Sequence, residues 1–309
     1  MSQQADLGSL LAAGEQALFH GAPAAGIAPL TEAVATAYDA GRSAEEMAAR
    51  WLLGTTFSVL GRFGAALAAL EPAAVADGPA PAEQRLFASL AFSTLATVHR
   101  QLGRTAEAHT ADLRALALTD GTGEAGVDAV LGLAADEVAA GRPDQAWVHL
   151  DRAAASIGDP PVERPGRWWR QQVRLDWARA GAEQGADAPG AAAEHAAAAV
   201  RLAEQATAPA QVAQGLLLLG SAQARMSAHE AGPTLRRAAA LAEAVGGLPV
   251  RWAAQASLAG LLSTTDPEAS RHCRESARIA VRTIAEDLPA VLREAWLHRP
   301  DVAALLDGA

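Results

Sequence analysis

Apolar stretches rich in alanine and leucine recur along the chain, broken at short intervals by Glu, Gln, Arg or Gly. Four segments align: LLAAGEQALFHGAPAAGIAPL (10–30), LLGTTFSVLGRFGAALAAL (52–70), TLATVHRQLGRTAEAHTADL (94–113) and LAADEVAAGRPDQAWVHL (133–150). Each reads as a helix, a tight turn at glycine and a second helix that opens on small residues. The turn glycines Gly21, Gly61, Gly103 and Gly141 lie 40, 42 and 38 residues apart. Glycine suits the place because a helix commonly ends on a left-handed residue.

Further turns are expected at Asp187-Ala188-Pro189, at Ser227-Ala228 and at Thr264-Thr265-Asp266-Pro267, continuing a period near 40. Helix breakers at 76–81, 120–123, 158–161 and 246–249 separate successive hairpins. Seven helical hairpins follow, at about 5–41, 43–76, 82–119, 124–158, 165–206, 208–246 and 249–285. The segment 287–306 reads as one more helix and a short final one, a cap over the last apolar face. No break in composition divides the chain, so its 309 residues are expected to form a single domain.

Composition supports helices throughout. Alanine occurs 81 times and leucine 37 times, against 21 for valine and isoleucine together. Alanine and leucine lose little side-chain freedom in a helix, while strands favour β-branched residues. An all-β or parallel-sheet fold is excluded on that ground.

Segments 53–70, 95–113 and 133–150 resemble the tetratricopeptide repeat. In the first the resemblance rests on Leu53-Gly54, Phe57, Gly61-Arg62-Phe63 and Ala66. In the third the same roles fall to Leu133-Ala134, Gly141-Arg142-Pro143 and Ala146. Small residues at Gly54 and Ala66 let the paired helices approach. The period exceeds that family's usual one and its hallmark aromatics are mostly replaced. The whole looks most like the divergent tetratricopeptide-like arrays of bacterial regulatory proteins. The resemblance implies an all-α, right-handed α-solenoid whose first helices line a concave groove. Carried over, the groove positions are Trp51, Thr55, Ser58, Thr97, Arg100, Gln101 and Asp128, then Gln214, Ser221, Arg225, Trp252 and Gln255. Chaperone-binding members of that family clamp a carboxylate with lysines and asparagines. This chain has neither residue, so that clamp is excluded in its usual form.

All 25 basic residues are arginine and the net charge is −10. Residues 1–162 hold 19 acids against 9 arginines, whereas 163–309 hold 16 of each. An acidic surface repels phosphate backbones, which disfavours nucleic acid as a partner. One cysteine, Cys273, excludes an internal disulfide. The start lacks the basic and apolar regions of a signal peptide, and no window reaches the roughly 20 apolar residues of a membrane span. The expectation is a cytoplasmic protein without a membrane partner.

Motifs for zinc, di-iron, phosphate-loop, nucleophile-elbow or terpenoid chemistry are absent. His272-Cys273 cannot chelate one ion alone, since adjacent helical residues point about 100° apart. No cofactor or metal is expected. Two arginine faces stand out instead. In RPGRWWRQQVRLDWAR (164–179), Arg167, Arg170, Arg174 and Trp177 fall within about 80° on a helical wheel. Arginine forks beside indoles suit carboxylates or phosphates, although the tryptophans equally fill gaps between small neighbours. In RHCRESARIAVR (271–282), Arg271, Arg274, Arg278 and Arg282 share a face, with Glu275 expected to pair with Arg271.

These features imply a non-catalytic scaffold or regulatory protein that binds a protein or peptide in its groove. A ligand- or signal-peptide-sensing regulator acting on a separate effector is the alternative, and an all-α enzyme with a groove-built site the remote one. The charge asymmetry also allows a homo-oligomer in which the acidic half of one molecule meets the arginine helix of another.

Overall fold

A computed structural model describes residues 6–75, 80–119, 121–158, 166 and 168–307. Among them there is no strand. The helices are α1 (Leu7–His20), α2 (Ile27–Asp39), α3 (Ser43–Leu60), α4 (Phe63–Leu70), α5 (Ala82–Gln101) and α6 (Thr105–Ala117). Then come α7 (Gly123–Ala139), α8 (Pro143–Ile157), α9 (Trp169–Gly185), α10 (Pro189–Gln205) and α11 (Pro209–Arg225). The chain ends in α12 (Ala231–Val245), α13 (Leu248–Leu262), α14 (Pro267–Asp287), α15 (Ala290–Leu297) and α16 (Pro300–Asp307). A short 3-10 turn, Pro23–Gly26, precedes α2.

Consecutive helices pack on one another, and the odd-numbered helices from α1 to α13 also pack side by side. Three of the four turn glycines are left-handed, Gly61, Gly103 and Gly141, with φ of 77°, 76° and 73°. Gly21 is not: its φ is −145°, because the 3-10 turn follows it directly. After α9, α10 and α11 glycine gives way to Asp187, Thr207 and Ser227 at positive φ, and it returns after α12 as Gly246 with φ of 75°. Proline opens α8, α10, α11 and α14, where its missing N–H costs nothing.

Gly54 answers to its expected role. A Cβ there would lie 2.3 Å from Leu70 Cγ, so only glycine admits the leucine. Gly14 stands in the same relation to Leu30 and Gly220 to Leu235. Leu30, Leu70, Asp112 and Leu150 each come nine places after a turn glycine, and all four are fully buried. The third of these is an aspartate.

The two ends of the array meet. His20 Nδ1 lies 2.9 Å from the carbonyl of Ala206, and Phe19 packs edge-on to Trp169 at 6.4 Å between centroids. Leu248, Pro249 and Ile284 close on Gly61. Asp287 accepts the amides of Gly64 and Ala65, and Arg299 donates to the carbonyl of Gln101. The C-terminal segment therefore does more than cover α14. Trp296 of α15 is fully buried between Phe63 of α4 and Trp252 of α13, at 6.1 and 6.2 Å.

Candidate functional site

Within α7 every residue from Ala125 to Ala134 is buried, because α5, α6, α8 and α9 surround the helix. A helix enclosed on all sides is ordinarily apolar all round. This one carries two buried aspartates, Asp128 and Asp136. Each meets arginine from a neighbouring helix.

The Asp128 carboxylate takes Arg174 Nη1 on one oxygen at 2.7 Å and Arg170 Nη2 on the other at 3.0 Å. The Arg170 guanidinium also stands 5.6 Å from the ring of Phe19 and 5.6 Å from that of Trp51. Trp51 in turn packs on Phe87 at 6.3 Å. Two arginines, one carboxylate and three aromatic rings thus converge from α1, α3, α5, α7 and α9. The arginine helix finds its acid within its own chain, and Asp128 belongs to the acidic half that was expected to seek it in a second molecule. Arg167 lies outside the described residues.

A second ion cluster adjoins the first. Arg100 Nη1 bridges Asp112 at 2.5 Å and Asp136 at 2.7 Å, with Thr97 at 3.4 Å from the other terminal nitrogen. His109 Nδ1 is 3.3 Å from the second oxygen of Asp136. Burial pushes the Asp112 carboxyl up to about 7, outweighing Arg100, which pulls the other way. The Asp112 Oδ1 atom has no hydrogen-bond partner. It lies over Gly132, where a Cβ would come within 2.2 Å of it.

The remaining groove candidates are dispersed. Thr55 bonds back to the carbonyl of Trp51 at 2.8 Å, and Ser58 is half-buried nearby. Gln101 is engaged through its carbonyl by Arg299. Trp177 and Gln214 are half-buried on α9 and α11, the Trp177 indole nitrogen without a partner. Trp252 is buried beneath Arg299, again with an unpaired indole nitrogen. Arg225 is exposed and turned to the α9–α10 turn, where it donates to the Gln184 carbonyl at 2.7 Å and pairs with Asp187. It stands apart from the converging group.

On α14, Glu275 pairs with Arg278 at 3.7 Å rather than with Arg271, because Arg278 is held in place by the Leu305 carbonyl at 2.8 Å. Among the described residues no group of three or more His, Cys, Asp or Glu side chains is arranged to hold a metal ion. Among them, too, no helix is long and apolar enough to cross a membrane.

Sequence reasoning passed over Phe19, His109, Asp112 and Asp136. The signal for the last was available, as an acid inside an apolar helix. For Asp112 it was an acid in the register of three leucines. No family model matches the chain, and no curated protein matches it either.

Proposed function

We propose that the chain is a non-catalytic scaffold or regulatory protein whose inner face holds an extended peptide bearing carboxylates. In this reading it is a single-domain, right-handed α-solenoid of about seven tetratricopeptide-like hairpins, and it works in the cytoplasm without a cofactor. The observation that carries the reading is the Asp128 carboxylate held between Arg170 and Arg174 under Phe19 and Trp51. A partner's carboxylate would find the same two forks and the same rings, the residue types on which interface hot spots are built. The contacts between the two ends of the array favour a second reading beside it. A ligand that separates them would change the curvature and so signal to a separate effector.

The test is the triple variant Asp128→Ala/Arg170→Met/Arg174→Met, which leaves no buried charge without its partner, compared with wild type by pull-down from the source cell and by sedimentation. Both are run at low and moderate salt, since exposed charge contacts weaken over a screening length of about 8 Å at physiological ionic strength. Partner recovery should fall while helix content stays intact. Unchanged recovery and unchanged oligomeric state would reject the inner face as the binding surface.

A further inference from the structure

Asp112 occupies a core position. Its counterparts in register, Leu30, Leu70 and Leu150, fill the space between paired helices, and each is fully buried as Asp112 is. An isolated carboxylate in a leucine site is costly to ionise, so such groups are paired or neutral. Asp112 is only partly paired. The guanidinium that reaches it, Arg100, is shared with Asp136, and Oδ1 has no partner at all.

We propose that Asp112 is a proton-linked element built into the joint between the α5–α6 and α7–α8 layers. Protonated, it fills the leucine site as a neutral group and leaves Arg100 to Asp136. Ionised, it draws on Arg100 and places an uncompensated oxygen against Gly132. Proton release therefore loosens the joint, and proton uptake tightens it.

Several charged groups face this position. From α5 comes Arg100, from α7 Asp136, and from α9 Arg174, which lowers the Asp112 carboxyl from a distance. His109 of α6 touches the far oxygen of Asp136. His149 of α8 senses His109 and Asp136, and burial holds it below the usual histidine range. His99 of α5 is lowered by burial in the same way.

The signs of these effects differ. Asp112 titrates higher in the folded chain than unfolded, where an aspartate titrates near 3.9. Its contribution is complete below that value and is lost as pH rises toward about 7. His99 and His149 act oppositely, since a histidine lowered by folding adds stability as pH rises through its unfolded value.

The test compares wild type with Asp112→Asn and Asp112→Leu across pH 4.5 to 8 by urea unfolding, which cancels the histidines and all other groups common to both. The unfolding constant of wild type relative to Asp112→Asn should rise about tenfold per pH unit at acid pH and level off above neutrality. Asp112→Leu, which restores the register, should match or exceed wild type at pH 8. Carbon-13 NMR of wild type labelled at aspartate carboxyls serves as a measurement free of any substitution, and should show one carboxyl titrating near neutrality that is missing from Asp112→Asn. A flat wild-type-to-Asn ratio would overturn the proposal. So would an Asp112 carboxyl that titrates in the ordinary aspartate range.

Discussion

Asp287 Oδ2 lies 2.7 Å from the amide nitrogen of Gly64, a residue 223 positions earlier in the chain. It also accepts the amide of Ala65, and Arg62 approaches its other oxygen at 3.6 Å. These amides belong to the first turn of α4, the donors that a helix leaves unsatisfied and that a cap residue normally takes. Arg62, at the cap position, supplies no side-chain acceptor. The last residue of α14 does so instead, from the other end of the array.

Replacing Asp287 with alanine should therefore cost about 1 kcal/mol, as for loss of a local helix cap. Asparagine keeps an acceptor and should retain most of the stability. Urea unfolding of the two variants checks both statements. Equal losses would mean that charge toward Arg62, rather than the amides, sets the contact.

Gly54→Ala should destabilise by about 1–3 kcal/mol, since the added methyl meets Leu70 at 2.3 Å and α3 and α4 must separate. Gly54→Ala/Leu70→Ala should lose less than the sum of the single changes, because the second relieves the clash of the first. Thermal unfolding of the three variants measures the coupling. Strict additivity would rule out the contact as the source.

Asp128→Ala leaves two arginines without their carboxylate and should cost about 3–5 kcal/mol, the usual range for removing one partner of a buried ion pair. Adding Arg170→Met and Arg174→Met should recover much of that loss, since apolar groups of similar volume replace buried ion pairs with little penalty. Chemical denaturation decides it. A mild effect of Asp128→Ala alone would show that water reaches the arginines and that the cluster is looser than 2.7 Å implies.

The early turns were legible because Gly61, Gly103 and Gly141 need a left-handed backbone that few other residues adopt. After α9, α10 and α11 the same conformation is carried by Asp187, Thr207 and Ser227, so the glycine signal is lost until Gly246. Trp51, Arg100 and Asp128 stood out in the sequence as groove candidates, and Arg170 and Arg174 as one face of an arginine helix. Their pairings did not, because they depend on how tightly the array curves. Nothing local announces that His20 meets Ala206, or that Asp287 meets Gly64, since such contacts span most of the chain. Asp112 was missed for a different reason. The register that exposes it links four turns and their leucines, whereas a charge read alone looks like a solvated residue.

That curvature is the central claim: the array bends so far that its early helices meet its late ones. Spin labels at Ala68→Cys on α4 and Glu286→Cys on α14, both exposed positions on helices in contact, test it in a Cys273→Ser background. Electron–electron double resonance should return one short distance, unchanged by dilution. An array whose ends stand apart would separate these helices by five helix spacings of about 8–10 Å each, hence about 40–50 Å. A single population at that longer distance would contradict that curvature.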